Sequence, residues 1–101
     1  MRHKVAQITD FKGEDLKSVL VDNTEIVIFR HADGSFSALE DMCSHQNVPL
    51  SSGAFENGEI ECMAHGARFN CKTGQPLCMP ATGPVKSYVV EVVGDDVFVL
   101  A

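Results

Sequence analysis

The chain has 101 residues, of which 45% are hydrophobic and 22% charged, and its formal net charge is −6 at pH 7. That length makes one small domain, with no room for a catalytic domain beside a cofactor domain, and the composition excludes disorder. The longest apolar run, residues 97–101, falls far short of the ~20 residues of a membrane span. An acidic chain is also a poor match for nucleic acid or anionic lipid, whose phosphates attract Lys and Arg. Met1-Arg2-His3-Lys4 leads into no long apolar stretch, so no secretion leader is expected and a cytoplasmic location is.

The elements read as β in chain order. Val5 and Ile8, then Leu16, Val19 and Val21, then Ile26-Val27-Ile28-Phe29 form short apolar segments rich in β-branched residues, which predict strands. Asp22-Asn23 separates the second segment from the third. Asp33-Gly34 predicts a two-residue type I′ turn between a strand over 26–30 and one over 36–39, because that turn needs positive φ at both central positions. No window holds a sustained helical period; the nearest is 11–20, where Leu16, Val19 and Leu20 are spaced for a single turn. Only 59–62 and 67–71 look strand-like in the middle of the chain, with Thr73-Gly74 marking a tight turn and Pro80, Gly83 and Pro84 a further loop. At the end, strands over 85–93 and 97–100 flank Gly94-Asp95-Asp96. Short strands punctuated by Gly and Asx turns predict an all-β barrel or sandwich.

The four cysteines lie between Cys43 and Cys78, and His45 and His65 fall in the same segment. Residues 43–84 are rich in Gly, Pro, Ser and Asn and poor in apolar residues for a core of their own, so a metal site is expected to order them. The ligand candidates form two pairs, Cys43-Ser44-His45 and Cys62-Met63-Ala64-His65, with sixteen residues between His45 and Cys62. A single zinc ion held by Cys2His2 is one alternative, but a zinc finger puts both Cys in one pair and both His in the other. Here each pair is mixed. That suits two adjacent metals, each loop giving its Cys to one and its His to the other, as in a 2Fe-2S centre in which two His replace two Cys on one iron.

With Cys-x-His, sixteen residues, Cys-x-x-His, and the continuation His65-Gly66-Ala67-Arg68-Phe69, the sequence resembles the Rieske ferredoxins. The resemblance runs on through Thr73-Gly74, the 80–84 loop and the closing Gly94-Asp95-Asp96-Val97 hairpin. It implies an all-β Rieske fold of antiparallel sheets, with a basal part at 1–42 and 85–101 and a loop-rich cluster-binding subdomain at 43–84. By the same resemblance Cys43 and Cys62 hold the inner iron and His45 and His65 the outer one, leaving the histidine edges as the electron's way in and out. High-potential relatives carry an extra disulfide-forming Cys in each cluster loop and Ser and Tyr hydroxyls near the sulfurs. The matching positions here are Val48, Ala64, Ala67 and Phe69. Hydroxyl donors aimed at cluster sulfur stabilise the reduced state, so a potential at the low end of the Rieske range, on the order of −150 mV, is expected.

The remaining candidates have plainer readings. Cys71 and Cys78 are expected to fill space as small hydrophobes, although a redox-active disulfide is the alternative. His3 and His31 lie outside the Cys/His pairs and are expected to be ordinary strand or surface residues. Met42, Met63 and Met79 fall near the ligand loops, where packing around the cluster is the first reading. No Lys or Arg lies between Arg30 and Arg68, while Asp33, Glu40, Asp41, Glu56, Glu59 and Glu61 do; such carboxylates can steer docking to basic patches. The resemblance implies a monomeric, soluble one-electron carrier, not an enzyme, linking an NAD(P)H-dependent flavoprotein reductase to a terminal ring-hydroxylating oxygenase. A Rieske small subunit of another redox enzyme, such as assimilatory nitrite reductase, and a zinc-bound interaction module are the alternatives.

Overall fold

The computed structural model describes residues 2–13, 15–42, 49–62, 67–77 and 83–101. Nine strands follow in chain order: β1 (Arg2–Gln7), β2 (Asp15–Val21), β3 (Thr24–Arg30), β4 (Phe36–Glu40), β5 (Ala54–Glu56), β6 (Glu59–Glu61), β7 (Arg68–Asn70), β8 (Ser87–Val93) and β9 (Asp96–Leu100). Single 3-10 turns occur at Ile8–Asp10 and Leu50–Ser52. Six strands form one sheet in the order β1-β9-β8-β4-β3-β2, and three form a second in the order β5-β6-β7. Every paired neighbour is antiparallel.

The apolar run in β3 explains how the two sheets share a core. Side chains alternate along a strand, and here both faces are buried. Ile26 and Ile28 point into the large sheet's interior with Ala6, Phe11, Val21, Ala38, Val97 and Val99. Val27 and Phe29 point the other way, joining Leu39 of β4 and Leu50, Ile60, Ala67, Phe69 and Val85 in a second core. β3 and β4 are therefore the common wall. The middle of the chain does have a core, which differs from the expectation of a segment lacking one. The reason is that its few apolar residues, Leu50, Ile60 and Phe69, are packed onto the outer face of a wall supplied by the flank.

Two turns behave as their residues dictate. Asp22 and Asn23 have φ of 47° and 69° between Val21 and Thr24, the positive pair that a type I′ turn requires. Asn57 and Gly58 do the same between Glu56 and Glu59, at 53° and 78°.

Elsewhere the structure departs from the sequence-based expectation. The β3–β4 connection is a longer hairpin in which the His31 N–H donates to Ser35 O at 2.8 Å and the Gly34 N–H to His31 O at 2.9 Å. Only Gly34 has positive φ there, at 89°. The Asp33 carboxylate accepts from the Ser35 N–H at 2.9 Å and from Ser35 Oγ at 2.6 Å. This local bonding holds the chain in a three-residue loop in place of a two-residue one. The 11–20 stretch is mostly strand, and the nearest helical turn among the described residues lies before it, at Ile8–Asp10. β5 was not expected at all, because three residues are too few to show an alternation. In the last hairpin the turn is Gly94-Asp95, and Asp96 already belongs to β9.

Candidate metal centre

The two ligand pairs fall in or beside segments 43–48 and 63–66, and Cys43, His45 and His65 lie outside the described residues. So do Val48, Met63, Ala64, Cys78 and Met79. Of the four expected ligands, the structure places Cys62, directly after β6, and the groups that close the base of each loop can be followed residue by residue.

The base of the second loop is a hydrogen-bonded step of the β6–β7 hairpin. The Cys62 N–H donates to Ala67 O at 2.7 Å, one rung beyond the Glu61–Arg68 pair. The Cys62 side chain is buried at 1% exposure among Ile60, Ala67, Phe69 and Leu50. Ala67 and Phe69, the positions without a hydroxyl, are themselves fully buried. On the outer face of the hairpin, Arg68 Nε lies 3.1 Å from Glu61 Oε2 and its Nη1 lies 3.3 Å from Glu59 Oε1. Hydrogen bonds to Glu61 foremost, and then to Glu59, push the Arg68 guanidinium above its ordinary value.

The base of the first loop is closed by a buried carboxylate. Asp41 Oδ1 accepts the Ser51 backbone N–H at 2.7 Å, and Oδ2 accepts Ser51 Oγ at 2.8 Å and Ser18 Oγ at 2.7 Å. Asp41 is 2% exposed, so it is not one of the surface charges that a docking partner would meet, contrary to its place in the acidic run. Glu59 and Glu61 are held by Arg68, while Glu56 is exposed and Glu40 half-buried. The role of Asp41 was missed in the sequence, because its partners Ser18 and Ser51 lie on β2 and beyond the loop, and nothing in their spacing joins them.

On either side of the third segment, 78–82, the described chain is held by backbone hydrogen bonds. The Leu77 N–H donates to Arg68 O at 2.7 Å and the Val85 N–H to Gly74 O at 2.8 Å. Gly74 has φ of 79°, and a Cβ there would overlap the carbonyl oxygen of Val85. Cys71 is buried in the second core. His3 sits on β1 with Nε2 3.6 Å from Asp22 Oδ2. His31 is buried, its Nε2 2.7 Å from Ser37 Oγ and its ring edge-on to Phe55 at 5.6 Å. Both occupy strand or turn positions in the large sheet, as expected.

Residues 1–89 match the family model described as Rieske [2Fe-2S] domain. The chain belongs to the Rieske family. It is 39% identical over 89 residues to the 3-phenylpropionate/cinnamic acid dioxygenase ferredoxin subunit of Shigella flexneri serotype 5b (strain 8401), covering 87% of this chain and 81% of that one. It superposes on the ferredoxin of carbazole 1,9a-dioxygenase from Nocardioides aromaticivorans IC177 with a TM-score of 0.92 at 34% identity, over 98% of this chain and 96% of that one. The structure described as the complex of reduced oxygenase and oxidized ferredoxin in carbazole 1,9a-dioxygenase matches with a TM-score of 0.90 at 32% identity, over 97% and 91%. The Rieske chain thus carries a 2Fe-2S cluster and serves as an electron carrier, not a catalyst.

The residues present fit that cofactor. A thiolate is the soft donor that iron–sulfur clusters require, and Cys62 offers its sulfur from an apolar, water-excluded setting. When bound, the cluster supplies a one-electron couple. Among the described residues, Ala67 and Phe69 share the apolar core of Cys62, and the hydrogen bonds of Asp41, of Cys62 with Ala67 and of Val85 with Gly74 tie down the chain on either side of the ligand segments.

Proposed function

We propose that this Rieske protein is a soluble, cytoplasmic, monomeric ferredoxin that passes single electrons from an NAD(P)H-dependent flavoprotein reductase to a terminal oxygenase of the aromatic-ring-hydroxylating type. Cys43 and Cys62 are the proposed ligands of one iron and His45 and His65 of the other, within a cluster-binding subdomain spanning 43–84. The observation that carries the reading is the likeness, over 98% of the chain, to a ferredoxin of a ring-hydroxylating dioxygenase. The burial of Cys62, the first residue of the Cys-x-x-His pair, supports the ligand assignment. The exposed apolar side chains Met42 and Leu77, next to segments 43–48 and 78–82, and the exposed Glu56 suit weak, rapidly released contact with redox partners.

The test is reconstitution. A flavoprotein reductase, this protein and a ring-hydroxylating oxygenase from a related system are combined with NADH or NADPH, and product formation is followed. Turnover that depends on the concentration of this protein is expected. Failure of the reductases of such systems to reduce it, with a stable complex to a larger redox enzyme in their place, would overturn the proposal.

A further inference from the structure

The buried Asp41 carboxylate has a geometry that neither its neighbours in sequence nor a docking role explains. Three donors converge on it: the Ser51 N–H, Ser51 Oγ and Ser18 Oγ, all at 2.7–2.8 Å. Its own N–H donates to Glu25 O at 2.8 Å. One side chain therefore joins three places, namely the start of the first ligand loop, the far end of that loop and strand β2. Hydrogen bonds to a carboxylate are among the stronger ones in proteins, and burial shields them from water. Beyond Ser51 the chain is held just as closely. Gly53 packs so tightly that a Cβ would overlap the carbonyl oxygen of Glu61, the residue before Cys62. The first loop's exit is thereby registered against the second loop's entry.

We propose that Asp41 is a positioning residue for the cluster: by clasping Ser51 to β2 it fixes both ends of the loop that carries Cys43 and His45, and so fixes how those donors meet the iron. This rests on the ligand assignment proposed above. Asp41 touches neither iron nor partner in this role and acts through the loop. The chemistry it needs is an acceptor at Oδ1 for a backbone N–H and a polar atom at the second position for two hydroxyls. Asparagine supplies both, since a hydroxyl can accept from Nδ2 as readily as it donates to Oδ2. Alanine supplies neither.

The experiment compares Asp41→Ala, Asp41→Asn and the double variant Ser18→Ala/Ser51→Ala with the unaltered protein, all as cluster-loaded full chains. It reads the electron paramagnetic resonance line shape after dithionite reduction and the rate of iron loss to a chelator. Val99→Ala, on β9 in the other core, controls for general destabilisation. Asp41→Ala is expected to lose iron at least tenfold faster with a broadened signal, and Asp41→Asn to stay within about threefold of the unaltered protein. The double serine variant, which keeps the backbone bond, should fall between them, while Val99→Ala keeps the native line shape. If Asp41→Ala does not fold, the double serine variant decides, and an unchanged rate and line shape in it overturn the proposal. So does a native signal in Asp41→Ala, or an Asp41→Asn variant as impaired as the alanine. The ligand assignment is tested separately by His45→Ala and Cys43→Ala. If these retain the native cluster, that assignment falls and the positioning role falls with it; if they lose it while Asp41→Ala stays native, the positioning role alone is wrong.

Discussion

The Cys62 N–H donates to the carbonyl of Ala67 at 2.7 Å, and this bond extends the β6–β7 ladder by one step beyond Glu61–Arg68. Cys62 leaves the sheet on the buried side, among Phe69, Ile60 and Leu50. Arg68, on the opposite side, ties Glu61 and Glu59 to the outer face. A thiolate in that position is shielded from water and held by the backbone of a strand pair. If the four proposed ligands are correct, Cys43→Ala, His45→Ala, Cys62→Ala and His65→Ala each lose the 2Fe-2S absorption. A native visible spectrum in any one would remove that residue from the ligand set.

Ala67 and Phe69, buried in the same core as the proposed ligand Cys62, carry no hydroxyl. Phe69→Tyr is expected to raise the midpoint potential, because a hydrogen bond to cluster sulfur favours the more negative, reduced state. A differential of ~1 kcal/mol corresponds to about 40 mV for one electron. A redox titration of the variant against the unaltered protein reads the shift, and a fall in potential would contradict the expectation.

The site and the fold were not equally legible in the sequence. The run Ile26-Val27-Ile28-Phe29 announced a strand, though not its burial on both faces, and the Cys-x-His and Cys-x-x-His pairs announced a metal centre, because ligand spacing is local and chemically specific. β5 was hidden, since Ala54, Phe55 and Glu56 form a strand only by pairing with β6. Asp33-Gly34 pointed to a hairpin but to the wrong turn, because the two bonds from Ser35 to Asp33 outweigh the dipeptide's preference. Asp41 looked like a surface acid because its partners lie 23 and 10 positions away in the chain, and such contacts leave no local pattern.

Gly74, like Gly53, is a tight backbone junction in the described part of the site. Its positive φ and its approach to Val85 O leave no space for a side chain. Gly74→Ala is expected to cost ~2–3 kcal/mol through left-handed strain and overlap, lowering the Tm of the loaded protein by about 10–20 °C. Differential scanning calorimetry checks this, and a Tm within 3 °C of the unaltered protein, roughly half a kcal/mol, would show that the loop can shift to accept a Cβ.

Asp33 gives a pH dependence with a defined sign. The hydrogen bonds from Ser35, its hydroxyl first and its N–H second, hold the Asp33 carboxyl below the ordinary carboxylate range. A folded-state value lowered in this way stabilises the protein above the unfolded-state value and is lost as pH falls toward the folded-state one. The Tm difference between the unaltered protein and Asp33→Ala should therefore be present at neutral pH and shrink in acid. A gap that widened on acidification would contradict the hydrogen-bonding role.

The central claim is that this chain is a low-potential Rieske electron carrier, and a spectroscopic redox titration of the purified protein tests it most directly. The expected result is a 2Fe-2S absorption that bleaches on one-electron reduction, a Rieske-type electron paramagnetic resonance signal, and a midpoint on the order of −150 mV. A colourless protein holding zinc and no iron, or a midpoint well above zero, would contradict it.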